Sequence, residues 1–532
     1  MQTTKFTHAD TLRGMLSPTR ACYDVMFYDL QLKVDVKRHY ITGSNTISYR
    51  VANDFDSMQI DLFAKMKIEK ILYNNLELKY RRDADAVIVR FPQQQKRGDN
   101  GAITCFYSGS PMIAKSPPWD GGFVWKKDAS GLDWVGVACE GTGASLWWPC
   151  KDHLSDEPDS MSMSFTVPSG LMCVSNGNLR NNKVNTDGTV TWNWFVSYPI
   201  NNYNVTFNLA NYTHWHDEYM HDHDTLPLDY YVLAGNERSS SQHFEQVKLM
   251  MACFEYYFGP YPFPRDGYAL VETNYWGMEH QGAIAYGNNY QNNKQGFDYI
   301  IVHESAHEWW GNNVSCSDVA ELWIHESFAA YSEPLYVECT QGKDAAIKYL
   351  VGQRWSISDK YPIIGPYNVN FQGTENDNDM YNKGSWMLHT FRSVLNNDSL
   401  FFSVLKGIQL HFSMQTITTD QLIAYICQSV GKDYTFFFNQ YLRYPSPPVL
   451  EYRARQKGKD TRLEYRWHTD VADFNMPVEV TDSYQSVFGT VTKTFIRLNA
   501  TNDWQTVTIK GLDAGNFDVN TDMFYVKKQE LK

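Results

Sequence analysis

No stretch of eighteen apolar residues occurs in this 532-residue chain, which excludes a membrane-spanning helix. No cluster of lysine and arginine stands out either, and the formal net charge is −13. That balance excludes nucleic acid as a natural partner and suits a cationic one, such as a free ammonium group. The nine cysteines are scattered without C-x-x-C spacing, so neither a thiolate metal site nor a disulfide framework is expected. Cys139 and Cys150 are near enough in sequence to pair across a loop, but reduced, mostly buried thiols are the simpler reading. G-x-S-x-G is missing, which sets aside a serine hydrolase of the nucleophile-elbow type. No internal repeat is visible. The opening Met1-Gln2-Thr3-Thr4-Lys5-Phe6 lacks the apolar core of a signal peptide. Two expectations follow: a cytoplasmic protein, or an exported one whose leader has been trimmed and a Met added.

What is present is concentrated in one segment, His303-Glu304-Ser305-Ala306-His307, with Glu326 following after eighteen residues. Two histidines four apart on a helix project from one face, a turn apart, and can hold a single zinc ion. Glu304 lies about 100° around the helix, placed to meet a water at the ion without being a ligand. Glu326, on the next helix, supplies the third ligand, and a fourth position left open marks a catalytic rather than a structural site. The apolar lead-in Phe297 to Val302 argues for a buried helix, with Trp309-Trp310-Gly311-Asn312 as its end and Gly311 as C-cap. Leu322 to Tyr331 reads as a second apolar helix carrying Glu326.

The rest of the chain divides into three stretches. Residues 1–234 form a β-rich domain, with alternating runs such as Tyr28 to Val36 and Ala86 to Phe91. Asn176-Gly177 and Asp187-Gly188 read as tight hairpin turns. The last hairpin of this domain pairs Tyr212 to His216 with Leu228 to Leu233. Its His214, His216, His221 and His223 invite a second metal site, though a solvated turn is the better reading. Residues 235–445 are mostly helical, including Phe244 to Phe258 and Asp344 to Arg354, with strands at Gly267 to Glu272 and Ala283 to Tyr286. Tyr444-Pro445-Ser446-Pro447-Pro448 breaks the chain, and residues 446–532, with runs such as Thr490 to Leu498, read as a small β-sandwich. The fold class is therefore α+β multidomain. Aromatics make up 15% of residues, so most must be core and inter-domain packing.

Over roughly Tyr23 to Pro448, the chain resembles the aminopeptidase N family of gluzincin peptidases, bacterial-type members above all. The family's H-E-x-x-H-x-W-x-G-N appears as His303 to Asn312, and its W-x-N-E-G-F-A-x-Y-x-E as Trp323 to Glu333, with His325 for Asn and Ser327 for Gly. Its Y-x-K-G is Tyr381-Asn382-Lys383-Gly384. Its exopeptidase loop G-x-M-E-N is altered to Trp276-Gly277-Met278-Glu279-His280, and Glu140 stands where relatives place an amine-binding Gln or Glu.

The resemblance implies a saddle-like N-terminal β domain, a thermolysin-like catalytic domain and one Zn2+ per chain on His303, His307 and Glu326. It implies Glu304 as general base and Tyr381 as oxyanion donor; by the residues alone, Tyr381 reads equally as a packed aromatic at a helix start. It implies a substrate loop of Gly277, Met278, Glu279 and His280, with Glu140 and Glu279 gripping the α-ammonium of a peptide; alone, Glu140 reads also as a solvated loop acid. Trp276 in place of glycine implies a bulkier, narrower wall, and His280 exchanges an amide for a titratable ring. The helical domain that covers the cleft in many relatives has no room before the tail, which implies a more open cleft. The leading expectation is a zinc aminopeptidase acting on peptides with a free amino terminus, exported to the cell envelope or secreted. Its rivals are a zinc endopeptidase or a peptidase for modified peptides, and a non-catalytic peptide-binding scaffold.

Overall fold

The computed structural model describes residues 5–221, 224–370, 379–481 and 495–532. Its N-terminal part is built on an eight-stranded sheet in which Tyr23–Asp35 lies between Tyr40–Val51 and the parallel strand Ser160–Pro168. Ser160–Pro168 shows why: Met161, Met163, Phe165 and Val167 are buried while every other residue is only partly so, the period-two pattern of a strand with one face on the core. A four-stranded and a three-stranded sheet pack around the same core. Asp187-Gly188 does turn a hairpin, between Asn178–Val184 and Thr189–Val196. Asn176-Gly177 does not. The strands on either side of it belong to different sheets, and Asn176 is buried as a clamp. Its amide nitrogen donates to the carbonyls of Asn204 (2.9 Å) and Gln281 (2.9 Å), and its oxygen accepts from Thr206 N–H (2.8 Å). A polar pair read as a turn is instead consumed by buried backbone groups that have no water to turn to.

The hairpin Tyr212–His221 with Asp224–Leu233 also departs from its expected place. It pairs in parallel with Tyr268–Glu272 and so opens the five-stranded sheet that continues through Ile284–Tyr286 to the edge strand Gly277–Met278. Leu226, Leu228, Tyr230 and Val232 point into the core of the helical part, and Tyr231 into that of the β part, so the hairpin is shared. His214 and His216 both bond to Asp229, at 2.6 and 3.3 Å, as surface pairs; Asp222 and His223, with the His221 side chain, lie outside the described residues.

Helix Gln246–Phe258 is tied to helix Trp323–Gln341 by a Cys253–Cys339 disulfide, contrary to the reading of reduced thiols throughout. Cys139 and Cys150 are free and buried. The two partners are 86 residues apart with no motif around them, so only the helix packing brings them together. The C-terminal strands form a four-stranded and a three-stranded sheet, with Ile496–Thr501 taking up the end of the run expected at Thr490 to Leu498; Thr490 to Thr494 lie outside the described residues. Their core residues, Leu450, Trp467, Phe474 and Val478 among them, are continuous with the core of the helical part. Arg354 stacks over Trp386 at 3.7 Å and donates to the carbonyl of Thr521, and Tyr441 donates to Tyr525 O at 2.8 Å. Among the described residues no helix is long and apolar enough to cross a membrane.

Candidate metal and amine site

Asp298 starts the helix that carries the motif. Its carboxylate accepts from Ile300 N–H (2.9 Å) and Ile301 N–H (3.4 Å) as an N-cap, and also from the Tyr286 hydroxyl (2.8 Å) and the Asn288 amide (2.9 Å). The helix Tyr299–Ala306 is therefore anchored at its start to the sheet. It ends a turn earlier than expected: His307 is its cap residue, and the chain continues to Asn313 as hydrogen-bonded turns rather than helix up to a glycine C-cap, before strand Val314–Cys316. The reason is the seam with the β part. Gly311 O accepts from Asn201 (2.8 Å) and the Asn312 side chain from Asn204 (2.6 Å), contacts that pull the chain out of helical register.

His303 and His307 nevertheless share one face, and Glu326 arrives from the first turn of the neighbouring helix. Glu326 Oε2 lies 3.5 Å from His303 Nε2 and 3.6 Å from His307 Nε2. Tetrahedral ligands at ~2.0–2.2 Å from zinc stand about 3.4 Å from one another, so the spacing fits one ion. The protonation pattern fits too. His303 Nδ1 is 2.8 Å from Glu333 Oε1 and His307 Nδ1 is 2.9 Å from Trp310 O, acceptors that hold the ring proton on Nδ1 and leave both Nε2 lone pairs facing inward. Glu326 Oε2 is buried, and no protein donor among the described residues reaches it. A cation is the partner this carboxylate lacks.

Glu333 was not singled out from the sequence. It lies seven residues after Glu326, two helical turns along the same face, which is the signal that would have found it. Its second oxygen is held by Tyr349 OH (2.7 Å) and Gln353 Nε2 (3.2 Å). Glu333→Gln is expected to weaken zinc binding about 10–100-fold, read by competition with a chromogenic chelator, while leaving the fold intact.

Glu304 faces the edge strand. A Cβ placed on Gly277 would lie 2.6 Å from Glu304 Oε1, so only glycine lets the strand pass this close to the carboxylate. Burial pushes the Glu304 carboxyl up to about 8, with His303 opposing and Glu279 and Glu326 adding to it. Glu140 and Glu279 meet from opposite sides of the seam: their oxygens and one of Glu326 lie within 4.8 Å of one another. Glu140 follows strand Asp133–Ala138, and its Oε1 is buried without a donor among the described residues. Burial and then the charges of Glu279, Glu326 and Glu304 push its carboxyl well up. Glu140 is thus half-buried with one enclosed oxygen, and a cation beside it would favour its charged form.

Met278 is buried beside Gly277 in the same strand. His280 differs from expectation. It is fully buried, neither ring nitrogen has a partner among the described residues, and burial pushes it down to about 3. The ring is a neutral packing element and offers no surface to a peptide. His325, the other change from the family's asparagine, has a visible purpose. Cys316 N–H donates to its Nε2 (2.8 Å), which puts the proton on Nδ1, 3.3 Å from Tyr203 Oη; the Tyr203 hydroxyl then donates to Glu279 Oε1 (3.1 Å). Nothing in the run Asn201 to Asn204 announced Tyr203.

Tyr381 sits in a single π-helical turn, Asp379–Lys383, with its ring 6.1 Å from that of His303. Burial and the nearby charges of Glu326, Glu140 and Glu279 raise its hydroxyl well up, so it remains a donor. Lys383 is buried and donates to Tyr444 O (3.2 Å) and Pro445 O (2.5 Å), which fixes the turn. Gly384 lets the following helix meet the Glu326 helix, since a Cβ there would fall on Ser327 Oγ. Ser327, where the family has glycine, donates that hydroxyl to Met380 O at 2.7 Å.

Residues 243–441 match the peptidase family M1 domain. Human endoplasmic reticulum aminopeptidase 1 is 22% identical over 312 residues, covering 55% of this chain and 33% of its own length. The alanine/arginine aminopeptidase of Saccharomyces cerevisiae is 22% identical over 481 residues, covering 83% of this chain and 54% of its own. This chain thus spans between a third and about half of these curated relatives. Among solved structures, a two-domain M1 zinc metallopeptidase bound to L-tryptophan superposes with a TM-score of 0.69 at 21% identity, covering 80% of this chain and 95% of that one. The M1 zinc metallopeptidase of Deinococcus radiodurans superposes with a TM-score of 0.66 at the same identity. Residues 243–441 thus match a peptidase family M1 domain, and within them His303, His307 and Glu326 are placed to hold one zinc ion.

Proposed function

We propose that the protein is a zinc-dependent aminopeptidase that removes the first residue of peptides with a free amino terminus. The observation that carries this reading is the Glu140–Glu279 pair beside the metal triad. Two carboxylates with enclosed oxygens next to a site built to cut peptide C–N bonds need a cation at a fixed distance from the cut, and a peptide's α-ammonium is that cation. His303, His307 and Glu326 would hold the zinc, which when bound would supply Lewis-acid polarisation and a lowered pKa, about 7, for a water. Glu304, raised by its burial, takes the water's proton and returns it to the departing amine. Tyr381 donates to the carbonyl oxygen as negative charge gathers on it. Glu140 and Glu279 hold the register so that only the first peptide bond reaches Glu304.

The test is a pair of peptides differing only by acetylation of the amino terminus, digested with and without chelator and analysed by mass. Loss of single residues from the free peptide, abolished by the chelator and absent from the acetylated one, is the expected result. Internal cuts, or equal cleavage of both peptides, would overturn the exopeptidase reading in favour of an endopeptidase.

The hydrogen-bonded chain from His325 through Tyr203 to Glu279 makes a further prediction. Tyr203→Phe is expected to raise KM for short peptides about tenfold with a smaller change in kcat, since a hydrogen bond to a charged group is lost at the ammonium end. His325→Asn should restore part of the wild-type KM relative to His325→Ala. The disulfide supports an exported protein in an oxidising compartment, in line with a cell-envelope or secreted location. Thiol counting on protein taken from cells under alkylation tests it.

A further inference from the structure

Trp276 stands where a glycine was expected, and it is not alone. Its ring is 42% exposed and stacks on Tyr299 at 5.4 Å and 14°; Tyr299 in turn stacks on the metal ligand His303 at 5.2 Å and 16°. On its outer side lies Trp119, 70% exposed, at 6.1 Å. Four rings thus climb from the metal ligand to the surface. An outward-facing tryptophan pair is unusual in a chain whose other large rings are mostly enclosed, and it is held in place, since Trp276 Nε1 donates to Asn288 (3.3 Å).

The polarity of the edge strand says which part of a substrate meets this wall. Glu279 lies at the ammonium end, Gly277 lies against Glu304 at the reacting carbonyl, and Trp276 comes next in the direction away from Glu279. A peptide running along this strand therefore passes Trp276 with the residues beyond the cut bond. At ~3.3 Å per extended residue, the ladder from His303 out to Trp276 matches about three residues. Lys126 Nζ is bonded to Asn274 O (2.8 Å), two residues before Trp276, and disfavours a second cation here.

Resting on the aminopeptidase reading, we propose that Trp119 and Trp276 form a selectivity wall for apolar and aromatic side chains at the second and third positions of the substrate. Aromatic rings meeting such a wall gain from both area burial and ring geometry.

Binding decides it without turnover. Zinc-loaded Glu304→Gln protein is titrated calorimetrically with the amidated peptides Ala-Phe-Phe, Ala-Gly-Gly and Ala-Arg-Arg. The Phe peptide is expected to bind about tenfold tighter than the Gly peptide. The ratio should fall to near unity when either Trp119→Ala or Trp276→Ala is added; Trp119, lying outermost, gives a variant whose folding is not in question. Equal affinities for the Phe and Gly peptides, no measurable binding of the Phe peptide, tighter binding of the Arg peptide, or a ratio that survives both substitutions overturns the proposal. Failure of the wild-type protein to hydrolyse these peptides would instead count against the aminopeptidase reading alone, because the ratio is read on protein that does not cut.

Discussion

Glu304→Gln is expected to reduce kcat by about 10²–10⁴ while zinc stoichiometry and peptide affinity stay near wild type. The separation follows from the geometry. Glu304 is not among the three groups whose atoms converge at 3.5–3.6 Å, and the histidine rings are oriented by Glu333 and Trp310 rather than by Glu304. Glutamine preserves the volume against Gly277, where only a glycine fits, but can neither take nor return a proton. Metal analysis and calorimetry on the variant beside its turnover make the check. A variant that loses its zinc as well would show Glu304 acting as a ligand; one that keeps most of its activity would remove it from the chemistry.

Tyr381→Phe has the second largest expected effect, a loss of about 10²–10³ in kcat with little change in KM. The hydroxyl is the only part removed, and the π-helical turn that carries it is held elsewhere, by Lys383 on Tyr444 and Pro445 and by Ser327 on Met380. Surrounded by Glu326, Glu140 and Glu279, the phenol keeps its proton and is a donor only. Its removal should therefore cost stabilisation of a developing negative charge and leave the neutral substrate's binding largely alone. Steady-state constants for one short peptide suffice. A rise in KM with kcat unchanged would mean that the ring packs against substrate and does no more.

How much of this was legible beforehand depended on the kind of signal. The two histidines were readable because helical periodicity converts a spacing of four into proximity, and Glu326 because it stands on the next apolar helix at the spacing the family pattern gives. Glu333 obeyed the same rule and was readable too. Tyr203 and the Cys253–Cys339 bond were not: each meets its partner across a seam or between helices, and contacts between distant segments leave no local period. Asn176-Gly177 misled for a related reason, since an asparagine that clamps two buried carbonyls looks in sequence like one that turns a hairpin. His280 misled because titratability belongs to the side chain in water, and burial removed the water. The shared hairpin of residues 212–233 shows the same limit for domains: its alternation is that of any β-strand pair and says nothing about which sheet it will join.

Of the two acids proposed to hold the substrate's ammonium, Glu140 comes from the β-rich part and Glu279 from the strand beside the HExxH helix, and a seam of buried asparagines joins the halves. The blade is complete on one side; the ruler is split across both. On the aminopeptidase proposal, a loosened seam would leave a protein able to cut but not to count from the chain's end, and the fidelity of trimming would follow from how firmly Asn176, Asn201 and Asn204 keep the halves in register.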